Sequence, residues 1–307
     1  MKRMNVPRLY LHVLAGLFLL AANASAEGSR PVKAVATIGQ ITDALKIIGG
    51  ERVDVAGLMG AGVDPHLYKA SESDVRKLSG ADIIFYNALH LEAKMEDLFK
   101  KMSGRVKTVP VGENVPPESR LESEKFAGHY DPHIWFDVIL WKKAVERIRD
   151  ELAAFDPSSR EEYFQRTADY LNELDELDRT VRARAGELSP DQRVLVTAHD
   201  AFRYFGRAYG FEVIGLQGIS TQAEAGAADI KTVADFIVKR KIKAIFVESS
   251  VPVKNVQAVQ EAVKARGWDV KIGGELFSDA LGTDGTFEGT YIGMVTHNIN
   301  TIVDALK

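Results

Sequence analysis

The chain has 307 residues, of which 46% are hydrophobic and 27% charged, and its formal net charge is −4. At ~150 residues per domain this length predicts about two domains, and the apolar content excludes a chain that is disordered throughout. The absence of cysteine excludes disulfides, thiolate zinc sites, iron–sulfur clusters and cysteine nucleophiles. The slight negative charge gives no basic field, so we expect no nucleic-acid partner.

The first 26 residues have the three parts of a secretory signal peptide. A basic start precedes an apolar run at 13–22, and the tripeptide Ala-Ser-Ala at 24–26 gives a small-residue cleavage pattern. The alternative is a membrane anchor, but the run is about half of the ~20 apolar residues that a spanning helix needs. We therefore predict a cleaved signal peptide at 1–26 and a periplasmic protein, which without cysteine cannot carry a cysteine-linked lipid.

Four short apolar runs with helical patterns between them follow the signal peptide. These predicted strands lie at 32–38, 52–58, 82–87 and 105–111. Alternation of strand and helix is typical of a parallel sheet with helices on both faces. We assign 27–157 to a first α/β lobe, within which the proline-containing and charged residues 112–131 predict a long surface loop.

A helical region of different character comes next. Residues 135–155 predict one helix, and a second covers 158–188 with no glycine or proline before Gly186. A helix of about 28 residues would be ~42 Å long, which is enough to run past two lobes. We assign 158–188 to a linking helix, which favours modest rocking of the lobes over wide opening.

A second set of alternating elements occupies 189–307, which we assign to a second α/β lobe. Its predicted strands lie at 193–198, 211–216, 243–248 and 270–276. Its predicted helices include 229–239, 255–266 and 290–306. The fold class is therefore α/β, with two sets of parallel strands.

Three histidines and an aspartate stand at the carboxyl ends of predicted strands. They are His66 after 52–58, His133 at the end of the loop after 105–111, His199 after 193–198 and Asp279 after 270–276. In open parallel sheets, ligands bind beyond this edge, where the loops converge. Two of the four come from each lobe, and imidazole with carboxylate is a donor set for a divalent transition metal.

The tripeptide Asp-Pro-His occurs twice and ends at His66 and at His133. Proline fixes its own φ and restricts the residue before it, so each histidine follows a stiffened loop. The aspartate can accept hydrogen bonds from backbone amides or from a ring N–H, and Asp200 beside His199 is a candidate for the same part. A metal site requires such rigidity, because its ligand distances vary by only about ±0.2 Å.

Other functions fit the sequence less well. We expect His90, His129 and His297 to lie outside the metal site, with His90 at most supporting it, and His12 belongs to the signal peptide. None of the G-x-S-x-G, Walker A, G-x-G-x-x-G or H-E-x-x-H motifs is present. A zinc hydrolase would hold an activated water at an open fourth position, which Asp279 fills here. We therefore predict no catalytic residues.

Seven stretches together resemble one known family. They are GLMGAGVDPHLY at 57–68, YNALHLEAKM at 86–95, DPHIWFDV at 131–138, RVLVTAHDAFRYF at 193–205, IFVESS at 245–250, GGELFSDALG at 273–282 and GTYIGMVTHNI at 289–299. They resemble the metal-specific periplasmic solute-binding proteins of ABC transporters, the cluster A-I zinc, manganese and iron group. The similarity covers essentially the whole chain after the signal peptide.

The resemblance implies two four-stranded α/β lobes joined by one long backbone helix, with one divalent metal ion between them. The implied ligands are His66, His133, His199 and Asp279, and the implied partner is an ABC transporter permease that receives the metal from a monomer. Manganese-preferring members often carry Glu in place of His199, and many zinc receptors carry a long histidine-rich loop before His133. This chain has neither feature, so Zn²⁺ and Mn²⁺ both stay open, with Fe²⁺ as a further candidate. Some members have been described as surface adhesins, which is the remaining alternative.

Overall fold

The computed structural model describes residues 30–123 and 128–307. The predicted signal peptide at 1–26 lies outside the described residues, as do residues 124–127 of the predicted surface loop. Within the described part of the chain, no helix is both long and apolar enough to cross a membrane. Residues Val32–Lys307 form one compact unit, to which all elements below belong.

The first half of this unit is a four-stranded parallel sheet. Its strands are β1 (Val32–Ala36), β2 (Val53–Gly57), β3 (Ile83–Tyr86) and β4 (Lys107–Pro110). They are hydrogen bonded in the order β2-β1-β3-β4. The helices between them are α1 (Gly39–Gly49), α2 (Glu72–Ser79) and α3 (Glu96–Met102). All four predicted strands are present, each shorter than predicted by two or three residues.

Two long helices follow, α4 (Val138–Phe155) and α5 (Arg160–Ala185). The first begins three residues later than predicted, because the Asp137 side chain caps it by accepting hydrogen bonds from the backbone N–H groups of Ile139 and Leu140. The second has 26 residues, which corresponds to a length of ~39 Å. One face of this helix is buried and the other carries charged residues.

The second half contains the remaining four strands and four helices. The strands are β5 (Val194–His199), β6 (Glu212–Gln217), β7 (Ala244–Glu248) and β8 (Lys271–Leu276). The helices are α6 (Arg203–Tyr209), α7 (Ala227–Arg240), α8 (Lys254–Lys264) and α9 (Tyr291–Leu306). The described structure therefore has the α/β class and the long helix that the sequence predicts.

In the second half, the four strands are not joined by one continuous ladder of hydrogen bonds. Parallel ladders join β5 to β6 and β7 to β8, whereas β5 and β7 lie side by side without being joined into the same sheet. One reason is visible at the end of β5, where the backbone N–H of His199 donates to the side-chain carboxylate of Glu248 at 2.8 Å instead of to a strand carbonyl. The side-chain carboxylate of Glu248 therefore lies between the ends of β5 and β7.

One hydrophobic core is shared by both halves, and a second lies within β5–β8 with α7 and α8. Polar contacts inside the shared core cross from one half to the other. Tyr291, at the start of α9, donates its hydroxyl to the carbonyl of Trp135 at 2.7 Å. The indole N–H of Trp135 donates to the carbonyl of Ser278 at 3.0 Å. The two halves are therefore held together by buried contacts on the side where Trp135 lies.

The junction between α4 and α5 is fixed by the carboxylate of Asp156. It accepts hydrogen bonds from the Tyr163 hydroxyl at 2.9 Å and from the Arg52 guanidinium at 3.3 Å. Burial raises the pKa of this carboxyl, but hydrogen bonds from Ser158, Ser159 and Tyr163 outweigh burial and lower the pKa to about 2. Because this value lies below the unfolded value of 3.8, ionised Asp156 stabilises the fold at neutral pH.

We predict that Asp156→Asn lowers the free energy of unfolding by about 1–2 kcal/mol at pH 7. The difference from the wild type should be constant down to about pH 5 and shrink as the pH falls towards 2, because the wild-type carboxyl then takes up its proton. Urea denaturation from pH 7 to pH 3 measures this. Asp150→Asn, at an exposed position of α4, is the control and should change little. A loss in Asp156→Asn that does not depend on pH would contradict the role of the charge.

Candidate metal centre

The side chains of His66, His133, His199 and Asp279 meet in one buried cluster. Their candidate ligand atoms all lie within 4.8 Å of one another. Each of the four residues is at most 1% exposed. Within the described residues, this is the group of histidine, aspartate and glutamate side chains that is arranged to hold a metal ion.

The spacing inside the cluster is that of ligands around one ion. The Nε2 atoms of His66 and His133 are 3.3 Å apart. The Asp279 oxygens lie 3.3 Å from Nε2 of His133 and 3.3 Å from Nε2 of His199, and 3.8 Å from Nε2 of His66. Two atoms that bind zinc at ~2.0–2.1 Å with a tetrahedral angle are ~3.3–3.4 Å apart. The cluster therefore has room for a metal ion at its centre with little rearrangement.

Each of the four residues lies either at the end of a strand or in the segment that follows a strand. His66 lies in the loop after β2, His133 directly before the turn that leads into α4, His199 is the last residue of β5, and Asp279 lies in the loop after β8. All four residues thus lie at or beyond the carboxyl ends of strands, where the strand-end argument expects them. The structure brings together every residue of the predicted set.

The first Asp-Pro-His motif supports its histidine through the backbone. Asp64 Oδ1 accepts the backbone N–H of His66 at 2.8 Å. The other carboxylate oxygen of Asp64 accepts the hydroxyl of Thr221 at 2.6 Å. Since Thr221 follows β6, this aspartate links the loop of His66 to the second half of the structure.

The second Asp-Pro-His motif supports the ring itself. Asp131 Oδ1 accepts the backbone N–H of His133 at 3.0 Å and the ring Nδ1–H at 2.7 Å. Because Nδ1 keeps its proton in this hydrogen bond, Nε2 is the atom that faces the cluster and can bind a metal ion once it loses its own proton. The supporting role that the sequence suggests for the aspartate is therefore present in this motif.

The carboxylate that supports His199 was missed by the sequence reasoning. The ring Nδ1 of His199 donates to Glu248 Oε2 at 2.5 Å. The neighbouring Asp200, suggested for this part, lies instead 3.9 Å from the Arg203 guanidinium. The sequence held one signal for Glu248: it ends the apolar run Ala244–Glu248, and a glutamate at a buried strand end needs a partner.

Burial and charge act in opposite directions in this cluster. Burial lowers the pKa of His66 to about 3. Burial also lowers the pKa of His133, but Asp131 and Asp279 outweigh it and raise the pKa to about 9. Burial raises the pKa of the Asp279 carboxyl, yet His199 and His133 hold that pKa well below its usual range. Asp279 therefore stays ionised in the interior of the protein.

The other histidines in the described part of the chain lie apart from the cluster, as expected. The rings of His90 and His129 stack with their centroids 4.1 Å apart, and Nδ1 of His90 is 2.7 Å from Glu96 Oε1. Nε2 of His297 donates to the carbonyl of Glu275 at 3.0 Å. A cavity of about 410 Å³ reaches from His90 and His129 to His66. Of the four cluster residues, His66 lines this cavity.

Two α/β halves, a long helix and a buried cluster of histidines and a carboxylate between the halves define the class of two-lobed α/β solute-binding proteins. Comparison with known proteins identifies the family. The family described as zinc-uptake complex component A, periplasmic (ZnuA), matches residues 34–305. The chain belongs to this family, which confirms the family predicted from the seven stretches.

Individual relatives match along nearly their whole length. The zinc-binding protein TroA of Treponema pallidum is 54% identical over 284 residues, which are 92% of this chain and 91% of TroA. The manganese-binding lipoprotein MntA of Bacillus subtilis is 44% identical over 285 residues, 93% of each chain. The manganese ABC transporter substrate-binding lipoprotein PsaA of Streptococcus anginosus is 30% identical over 305 residues, 97% of each chain.

The solved structure of the periplasmic zinc binding protein TroA from Treponema pallidum has the same fold. It matches with a TM-score of 0.88 and covers 90% of this chain and 99% of the TroA chain. The similarity to the TroA type, which the same sequence stretches indicate, is therefore present in both sequence and fold. The relatives differ in the metal that their names give.

We predict that Glu248→Gln lowers the affinity of the cluster for a divalent metal about 10- to 100-fold. Glu248 uses both oxygens, one for the backbone N–H and one for the ring N–H of His199, and a glutamine offers only one acceptor. Competitive titration against a chromophoric chelator measures the affinity. Glu275→Gln, at an exposed position of β8, is the matched control. Equal affinities of the two variants would contradict the support that we assign to Glu248.

Proposed function

We propose that the protein captures one divalent transition-metal ion at His66, His133, His199 and Asp279 and delivers it to the membrane permease of an ABC importer. The observation that carries this proposal is the convergence of four buried ligand atoms, two from each half, at the spacing of metal ligands. The names of TroA, MntA and PsaA support a metal as the solute, and that of PsaA supports the ABC importer.

The donor set supports Zn²⁺ and Mn²⁺ as candidate solutes, with Fe²⁺ as a third. Three imidazoles suit zinc and iron, and the carboxylate of Asp279 adds an oxygen ligand that manganese prefers. The 3.3 Å spacing fits a tetrahedral ion at ~2.0 Å. By the Irving–Williams order, Zn²⁺ should bind more tightly than Mn²⁺ at equilibrium, whichever ion the cell supplies.

We propose that the two halves act as lobes, 27–157 and 189–307, with 158–188 as the linking helix. Because the ligands come from both lobes, the bound ion holds the lobes together and stabilises the closed form by mass action. The shared core around Trp135 and Tyr291 favours modest rocking about this side over wide opening. The cavity beside His66 then serves as the entry path.

We further propose that residues 1–26 direct export and are removed, so that the mature protein works as a free periplasmic monomer. MntA and PsaA are named lipoproteins, but this sequence has no cysteine to which a lipid could be linked. A binding role without catalysis is supported by Asp279, which takes the fourth position that a catalytic zinc site leaves open for water.

The test is metal analysis of protein purified from the periplasm without chelators, followed by competitive titration with Zn²⁺ and Mn²⁺. We expect about one equivalent of metal per chain in the wild type, and a loss of at least about 100-fold in affinity in His66→Ala and Asp279→Ala, each of which removes a direct ligand. The bound ion should also raise the midpoint of thermal unfolding in proportion to the logarithm of its concentration.

His297→Ala is the matched control, since this histidine lies outside the cluster. This variant should retain the stoichiometry and the affinity of the wild type. A wild-type protein that contains no metal and binds neither ion at micromolar concentration would overturn the proposed function. Metal binding that survives both ligand substitutions would overturn the assignment of the site.

A further inference from the structure

A left-handed backbone turn lies beside the loop of His133. Three consecutive residues other than glycine have positive φ: Ala88 at 67°, Leu89 at 54° and His90 at 65°. The turn is closed by a hydrogen bond from the N–H of Leu91 to the carbonyl of Ala88 at 3.1 Å. L-residues avoid this region, and a run of three persists only where the surrounding structure holds it.

The group that holds this turn is the carboxylate of Glu92, which is 2% exposed. Its Oε1 accepts the Thr37 hydroxyl at 2.6 Å and the Asn87 backbone N–H at 2.8 Å. Its Oε2 accepts the Ala88 backbone N–H at 3.1 Å. Thr37 directly follows β1 and Asn87 directly follows β3, so the carboxylate fastens the turn to the ends of two neighbouring strands.

The side chain of Asn87, directly before the turn, reaches the loop that carries His133. The Asn87 amide donates to the carbonyl of Pro132 at 3.0 Å, and Pro132 directly precedes His133. The carbonyl of Asn87 accepts the N–H of Gly112 at 3.0 Å, which fixes the backbone of Asn87 on its other side. Glu92 is therefore connected to His133 through Asn87 and one carbonyl, without touching the cluster.

We propose that Glu92 is a positioning residue of the metal centre: by holding the left-handed turn, it fixes Asn87, which keeps the loop of His133 at ligating distance from the other half. This proposal rests on the proposed function. Asp131 and His133 lie on the same short loop, so their own hydrogen bond orients the ring within the loop but does not fix the loop on the sheet. The contact of Asn87 with Pro132 supplies that anchorage.

Glu92→Gln is the first test variant, with Co²⁺ as the probe ion. The glutamine offers one acceptor oxygen and places an NH₂ group against backbone N–H donors, so the turn should relax. We expect a fall of about 10- to 100-fold in Co²⁺ affinity, and a change in the intensity and position of the visible d–d absorption of bound Co²⁺. This absorption reports coordination geometry, which a general loss of stability does not alter.

Asn87→Ala is the second variant and removes the tether while Glu92 keeps its own backbone donors. It should reproduce the spectral change, and the double variant should change affinity by less than the sum of the two single effects, because both act through one path. Since Asn87→Ala leaves the carboxylate network in place, it tests the proposal even if Glu92→Gln does not fold.

Two controls separate positioning from folding. Asp97→Asn changes an exposed carboxylate of α3, and Asp156→Asn lowers stability at the α4–α5 junction. Both should keep the wild-type Co²⁺ spectrum and affinity. Wild-type spectra in Glu92→Gln and Asn87→Ala, with normal binding by the wild type, would overturn the positioning role alone. Failure of the wild type itself to bind Co²⁺, Zn²⁺ or Mn²⁺ would instead overturn the proposed function.

Discussion

The structure depends on negative charge that is buried in the interface between its two halves. Asp131, Glu248 and Asp279 are each at most 1% exposed, and they lie against the three imidazoles of the cluster. An ionised carboxylate in the interior is costly unless positive charge and hydrogen bonds accompany it. Asp131 and Glu248 each accept a hydrogen bond from a ring N–H. Within the described residues, neither oxygen of Asp279 has a hydrogen-bond partner. A divalent cation at the centre would satisfy Asp279 and the free Nε2 of His199 at once.

The histidines of the two halves are held with different degrees of rigidity. His199 is the last residue of a strand and is held at both its backbone and its ring by Glu248. His133 lies on a loop, but Asp131 holds its ring. The three left-handed residues that lie behind this loop cost about 1–2 kcal/mol each in backbone energy. A fold that retains such a turn must gain more from the contacts of Glu92 and Asn87 than the turn costs.

Much of this arrangement follows from the sequence, and the part that does not is informative. The alternation of strands and helices predicts all eight strands, and the positions of His66, His133, His199 and Asp279 after those strands predict their convergence, because parallel strands end at one edge. Glu248 escapes this reasoning because its partner His199 lies 49 residues away, and Glu92 because one of its partners, Thr37, lies 55 residues away. The left-handed turn also has no sequence signal, because Ala-Leu-His contains none of the residues that favour positive φ apart from the histidine.

Among the four proposed ligands, His66 has the least constrained ring. Within the described residues, Asp64 bonds to the backbone of His66 and no group bonds to its Nδ1, so this ring is less constrained than those of His133 and His199. Its loop is tied to the opposite half through Thr221, and the ring lines the cavity of about 410 Å³. Two of the four proposed ligands, His133 and His199, thus have their rings held by carboxylates. In the proposed function, the ring of His66 is the ligand that adjusts as an ion binds, and the hydrogen bond between Asp64 and Thr221 ties its loop to the second half.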